Sequence, residues 1–207
     1  MTPLGSGVKY GIGDGLVEKG IAVVENFIDS ALVERLRAEV DRLAGAGEFS
    51  YARIGQGEAK QVCPNIRGDQ IYWIDSKEPG EPQATYLASL EAVRYEINEA
   101  TLLGLFEWEG HFALYGPGSF YRRHLDVFRH ARERKVSTIL YLNQDWTPAC
   151  GGELRIYTEG TSLESYRDIE PRGGTLVCFL SDVFYHEVLP AHADRCSVTG
   201  WFRVRSA

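Results

Sequence analysis

The spacing of hydrophobic and polar positions changes twice along the chain. After a loose glycine-rich start, "GVKYGIGDG", the run "IAVVENFI" (21–28) is nearly continuous in apolar residues and predicts a strand. Leu32, Leu36, Val40 and Leu43 then recur at helical spacing, with Asp29 or Ser30 as the N-cap and Gly45 and Gly47 as the stop. Residues 50–69 hold no helical period and predict a long loop or an irregular hairpin. Loops of that length inside a compact domain are usually functional. "QIYWID" (70–75) predicts a short strand, and Tyr86, Leu90, Val93 and Ile97 mark a longer helix over 83–103.

From about residue 107 the pattern shortens into β-rich runs divided by Gly, Pro, Asn and Asp: "FEWEGHFALY", "YRRHLDVF", "KVSTILYLN", "GGELRIYT", "GTLVCFL", "YHEVLP" and "RCSVTGWFRV". Repeated short strands of this kind predict a sandwich or jelly roll. The expected organisation is a single α+β domain over 1–207, with an N-terminal support over about 1–105 and a β-rich catalytic core over about 106–205. "GVKYGIGDG" is not a dinucleotide fingerprint, because no strand precedes it and its spacing is wrong.

Composition narrows the function. A formal net charge of −7 argues against general nucleic-acid affinity, which needs a basic surface. No apolar run approaches a membrane span, and the N-terminus lacks the layout of a secretory signal. The four cysteines, Cys63, Cys150, Cys178 and Cys196, form no CxxC pair, which fits reduced thiols in a cytoplasmic protein better than a disulfide framework or a zinc ribbon.

The candidate chemistry starts at "YRRHLDVF" (121–128). Residues i and i+2 of a strand share a face, so a strand here would present His124 and Asp126 side by side. A histidine from a second strand would complete a 2-His-1-carboxylate set that leaves positions on Fe(II) open. His186, after the apolar run "GTLVCFL", is the best placed; His111, His130 and His192 read as ordinary surface or core histidines. Arg195 stands nine residues past His186, and "HEVLPAHADR" reads as strand, turn and returning strand. Arg195, Ser197, Thr199 and Trp201 would share one face, with Tyr141 pointing inward as well. A guanidinium flanked by hydroxyls is a receptor for a carboxylate, so the set predicts a dicarboxylate, metal at one end and Arg195 at the other, as 2-oxoglutarate would be.

The ordered set His124-x-Asp126…His186…Arg195 matches the Fe(II)/2-oxoglutarate dioxygenase pattern. "RGDQIYWIDSKEPGE" (67–81), "ILYLNQDW" (139–146), "GGELRIY" (151–157), "DIEP" (168–171) and "HEVLPAHADRCSVTGWF" (186–202) resemble the oxygen-sensing, hypoxia-inducible-factor-type prolyl hydroxylases. The similarity runs over about 62–204. It implies a double-stranded β-helix (jelly-roll) core with N-terminal helices on its major sheet. It further implies iron on His124, Asp126 and His186, and 2-oxoglutarate on Arg195 with Tyr141 and Thr199 assisting. Tyr115 would contact the metal-side end of the co-substrate, Leu154 and Trp201 would wall the pocket, and Tyr121 would lie at its mouth. The stretch between Tyr115 and His124 is one residue shorter than in the animal enzymes.

The implied reaction is hydroxylation of a prolyl residue of a protein at C4, with O2 consumed and ascorbate supportive. The loop 51–69 would fold over the peptide, with Asp69 as its anchor, Arg134 as the ion-pair partner of Asp69, and Trp73 beside the entrance. Bacterial relatives of this type act on elongation factor Tu, and a compact chain without a zinc-finger or targeting extension suits such a member. The alternatives are a dioxygenase acting on a small molecule or free amino acid, and a non-catalytic 2-oxoglutarate or iron-sensing module. The cluster of Arg122, Arg123, Arg129, Arg132, Arg134 and Lys135 reads as a solvated face or a docking patch for acidic substrate segments.

Overall fold

The computed structural model describes residues 9–54, 61–127 and 133–206. In chain order the elements are α1 (Ile12–Lys19), β1 (Ile21–Val24), α2 (Ser30–Gly45), β2 (Ser50–Tyr51), β3 (Gln70–Trp73), α3 (Glu81–Thr101), β4 (Glu107–Tyr115), β5 (Tyr121–His124), β6 (Arg134–Tyr141), β7 (Leu154–Tyr157), β8 (Tyr166–Ile169), β9 (Leu176–Leu180), β10 (His186–Val188) and β11 (Arg195–Arg203). They build a seven-stranded sheet ordered β1-β9-β6-β11-β4-β3-β2 and a four-stranded sheet ordered β5-β10-β7-β8. Every strand pair is antiparallel. No helix among the described residues is long and apolar enough to cross a membrane.

The helices form where their apolar stripes require. Leu32, Leu36, Val40 and Leu43 of α2 and Tyr86, Leu90, Val93 and Ile97 of α3 are all buried in one core with Phe112, Val136, Leu140, Val198 and Phe202 of the large sheet. Asp29 is the cap of α2, its carboxylate accepting from the Leu32 amide at 2.7 Å. α3 starts at Glu81 with a proline in its first turn, where the missing N–H costs nothing.

Three expectations change. Part of the expected loose start is helical: residues 12–19 form α1, which buries Ile12 and Leu16, while residues 1–8 lie outside the described residues. The division near residue 105 is not a structural boundary, because β1, β2 and β3 pair into the same sheet as β4, β6, β9 and β11. His186 and Arg195 do not lie on one hairpin: β10 belongs to the small sheet and β11 to the large one, so residues 189–194 carry the chain between them. The region 50–69 is the irregular hairpin alternative, with β2 on β3 and an isolated Ile54–Gln61 bridge; residues 55–60 lie outside the described residues.

Candidate active site

The inward faces of the two sheets enclose a cavity of about 390 Å³. On the large sheet, cross-strand register sets Trp73, His111, Thr199 and Ile139 in one row and Ile71, Ala113, Ser197 and Tyr141 in the next. The alternation in β11 sends Arg195, Ser197, Thr199 and Trp201 to this side and Cys196, Val198 and Phe202 to the helix core.

On the small sheet His186 of β10 lies opposite His124 of β5, and Val188 lies opposite Tyr121. The four residues Tyr121–His124 of β5 thus lie against three of β10, His186–Val188. This bulge lets Tyr121 and His124, at odd spacing, both line the cavity. Their rings stack at 3.7 Å. The strand ends at His124, so the pleat does not place Asp126, which lies in a bend two residues further on. Its carboxylate is nevertheless close to both imidazoles, 3.5 Å from His124 Nε2 and 3.7 Å from His186 Nε2. Among the described residues this is the one cluster of three that could hold a metal ion.

The protonation states suit ligation. Each histidine approaches a main-chain carbonyl through Nδ1, His124 that of Arg122 at 2.8 Å and His186 that of Phe184 at 3.1 Å. A carbonyl only accepts, so Nδ1 of each ring carries a proton and Nε2 is the atom turned to the centre of the cluster. Burial, reinforced by His124, lowers His186 to about 4 and keeps it neutral. Burial alone would raise Asp126, but the neighbouring His186 and His124 and the Ser137 hydroxyl outweigh it and hold the carboxyl well below its ordinary range.

Arg195 lies at the large-sheet side, 1% exposed. Its Nε donates to the Gly152 carbonyl at 2.8 Å, and its guanidinium lies 4.9 Å from the Tyr115 ring centre and 5.2 Å from that of Tyr141. Among the described residues no carboxylate pairs with it. The Tyr141 hydroxyl beside it is buried without a hydrogen-bond partner, and burial raises that phenol to about 12. A buried cation with an orphaned hydroxyl next to it has the chemistry to suit an anion.

Residues 110–203 match the family model described as the 2OG-Fe(II) oxygenase superfamily. The structure of a Pseudomonas putida prolyl-4-hydroxylase is 44% identical, with a TM-score of 0.83 over 95% of this chain and 98% of that one. The chain belongs to the prolyl-hydroxylase branch of this superfamily. A Trichoplax adhaerens prolyl hydroxylase, solved with a peptide fragment of the hypoxia inducible factor oxygen degradation domain, is 30% identical with a TM-score of 0.81, covering 93% of this chain and 87% of that one. Human Egl nine homolog 1 is 35% identical over 88% of this chain, which spans only 43% of that relative. Human Prolyl hydroxylase EGLN3 is 31% identical over 90% of this chain and 80% of its own length. The expected double-stranded β-helix is therefore the fold of these prolyl hydroxylases.

Membership of the family implies Fe(II), 2-oxoglutarate and O2. The residues present fit both resident groups. Two imidazoles and a carboxylate converge for the metal, and a guanidinium without a carboxylate partner beside an unpartnered phenol suits the far carboxylate.

The structure brings together most of the expected site residues. His124, Asp126, His186, Arg195, Tyr115, Tyr121, Leu154, Thr199, Trp201, Trp73 and Arg134 all line the cavity, and Tyr141 packs against Arg195 behind them. One expected contact is absent. Asp69 is buried and paired with Arg67, at 2.7 Å through Nε, not with Arg134. Arg134 donates to Glu109 at 2.8 Å and lies 3.7 Å over the Trp201 ring. Arg67, the partner of Asp69, in turn lies over the Tyr121 ring at 4.2 Å. Nor is the arginine cluster one solvated face: Arg123 is sandwiched between Tyr157 and Tyr185, while Arg129, His130 and Arg132 lie outside the described residues.

His111 was not expected in the site. It lines the cavity between Trp73, at 4.9 Å, and Trp201, at 5.7 Å, and its Nδ1 is buried and unpartnered. Burial, with Arg67 adding to it, lowers it to about 3, so this imidazole is neutral. The available signal was its even spacing from Ala113 and Tyr115 in "HFALY", which places all three on one face.

Proposed function

We propose that this chain is a protein prolyl 4-hydroxylase, coupling oxidative decarboxylation of 2-oxoglutarate to hydroxylation of a proline in a protein substrate. The observation that carries the reading is that the His124–Asp126–His186 cluster and the unpaired Arg195 line one cavity. His124 and His186 through Nε2, and Asp126 through its carboxylate, would hold Fe(II). The bound metal and 2-oxoglutarate supply the activation of O2 needed to oxidise an unactivated C–H bond.

The chain's own residues bind, orient and exclude water. Arg195 takes the far carboxylate of 2-oxoglutarate, Tyr141 and Thr199 complete its hydrogen bonds, and Tyr115 contacts the metal-side end. Leu154 and Trp201 wall the co-substrate off, and Ile139 and Val188 keep that part of the cavity dry. The substrate proline enters past Trp73, half exposed at the rim, and Tyr121, with the Arg67–Asp69 pair fixing the hairpin beside it. Arg134 shapes the same rim by holding Trp201 and Glu109. No step needs an ionisable base on the substrate carbon.

Elongation factor Tu is the proposed protein substrate, on the strength of the family resemblance, and a reducing cytoplasmic setting suits the four free cysteines. The purified protein with Fe(II), ascorbate and 2-oxoglutarate should add the mass of one oxygen atom to a single proline of the elongation factor. Absence of that product, with 2-oxoglutarate turned over to succinate when another protein is supplied, overturns the substrate. Succinate formed only with free amino acids or metabolites overturns the protein hydroxylase.

A further inference from the structure

Asp126 presents a structural problem that its two partners do not. His124 and His186 are fixed by strand register, but Asp126 lies past the end of β5, where no ladder holds it. Its Oδ2 instead accepts a 2.6 Å hydrogen bond from the Ser137 hydroxyl of β6, in the opposite sheet. The Ser137 oxygen lies 2.9 Å from the Ser181 hydroxyl, immediately after β9. Ser137 and Ser181 are 1% and 0% exposed.

The directions of these bonds follow from chemistry. An ionised carboxylate only accepts, so Ser137 donates to Asp126; its oxygen is then free to accept, and Ser181 donates to it. The two hydroxyls form a short chain polarised towards the carboxylate, in a buried site where such chains strengthen one another.

We infer that the Ser181–Ser137 pair is a positioning device that occupies Asp126 Oδ2 and so makes the carboxylate a one-oxygen metal ligand through Oδ1. A carboxylate free to turn could present both oxygens and take up a position that the co-substrate needs. The inference rests on the reading of His124, Asp126 and His186 as metal ligands. Partners of this kind behind a ligand typically change metal affinity by about 10–100-fold.

The test is equilibrium binding of Mn(II) and Co(II) to the full chain without co-substrate, alongside its thermal unfolding without metal. Ser137→Ala should weaken binding about tenfold or more and change the Co(II) ligand-field spectrum. Ser137→Thr, which keeps the hydroxyl, should restore both. Ser181→Ala should act in the same direction with a smaller effect. Asp126→Ala should abolish binding at the site. Loss in Asp126→Ala with wild-type affinity and spectrum in Ser137→Ala overturns the positioning role alone. Unchanged binding in Asp126→Ala overturns the ligand set and the positioning role with it. A lowered melting temperature in Ser137→Ala with unaltered metal affinity and spectrum identifies a structural hydroxyl and also overturns the role.

Discussion

The two faces of β11 share one backbone and obey opposite rules. Cys196, Val198 and Phe202 face α2 and α3 in a closely packed apolar core. Arg195, Ser197, Thr199 and Trp201 face the cavity, where a cation stands without a carboxylate and polar atoms of Tyr141, Trp201 and His111 lack partners. The helix side is not free of such atoms, since the Tyr86 hydroxyl and one Glu39 carboxylate oxygen are also unpartnered, but among the described residues no charged side chain there is as fully buried as Arg195. One face is satisfied by folding; the other keeps polar groups that folding alone does not satisfy. Substitutions on the first should cost stability and leave binding alone, and substitutions on the second should do the reverse.

The largest effect should come from the helix side. Gly110 and Gly200 lie opposite each other in β4 and β11 and form a slot filled by the Trp108 indole, whose Nε1 donates to Thr138 at 3.0 Å. A Cβ on Gly200 would stand 2.6 Å from the Glu109 carbonyl oxygen as well as inside the indole, so little can move aside. Gly200→Ala should destabilise the protein by about 3 kcal/mol, measured by urea unfolding. An unfolding midpoint within error of wild type would show that the slot has slack.

On the cavity side the signs should invert. Arg195→Met removes an unpaired buried cation while keeping most of its volume, so the protein without ligand should gain about 2 kcal/mol of stability. The same change should weaken 2-oxoglutarate by about 3 kcal/mol, two orders of magnitude in affinity. Calorimetric titration with Mn(II) in place of Fe(II) measures the second quantity. A variant that loses stability and keeps affinity would break the contrast. Tyr141→Phe is the milder case: deleting an orphaned hydroxyl should raise stability by about 1 kcal/mol and weaken 2-oxoglutarate about tenfold.

The two faces were also unequally legible in the sequence. Helical period picked out every core residue named on α2 and α3, because burial on one side of a helix leaves a pattern in one stretch of chain. α1 escaped because Gly13 and Gly15 lower its propensity; at Gly13 a Cβ would stand 2.8 Å from Ala100 Cβ, so close packing on α3 takes precedence over propensity. The inward residues of β11 followed from alternation alone. Asp126 does reach the two imidazoles, but not by strand alternation: a bend and a hydroxyl from another sheet place it, and no period in "RRHLDVF" encodes either. The Asp69 partner failed similarly, because an ion pair is settled by which of several arginines folds nearest, and Arg67 is two residues away. His111 was passed over because its even spacing from Ala113 and Tyr115 shows only that the three share a face, and which way that face points is known only once the neighbouring strands are placed.

The smallest effect serves as the control for the others. Asp29 caps α2 on the helix side, remote in function from the cavity, and its carboxylate satisfies one of the amides that the first turn leaves without a partner. Asp29→Ala should cost about 1 kcal/mol, and Asp29→Asn, which keeps an accepting oxygen, should recover most of it. Neither should alter 2-oxoglutarate affinity, because α2 reaches the cavity only through the thickness of the large sheet. If Asp29→Ala weakens 2-oxoglutarate as much as Tyr141→Phe does, then β11 transmits strain from its packed face to its binding face. The two faces would then be a single coupled unit and not two independent surfaces on one strand.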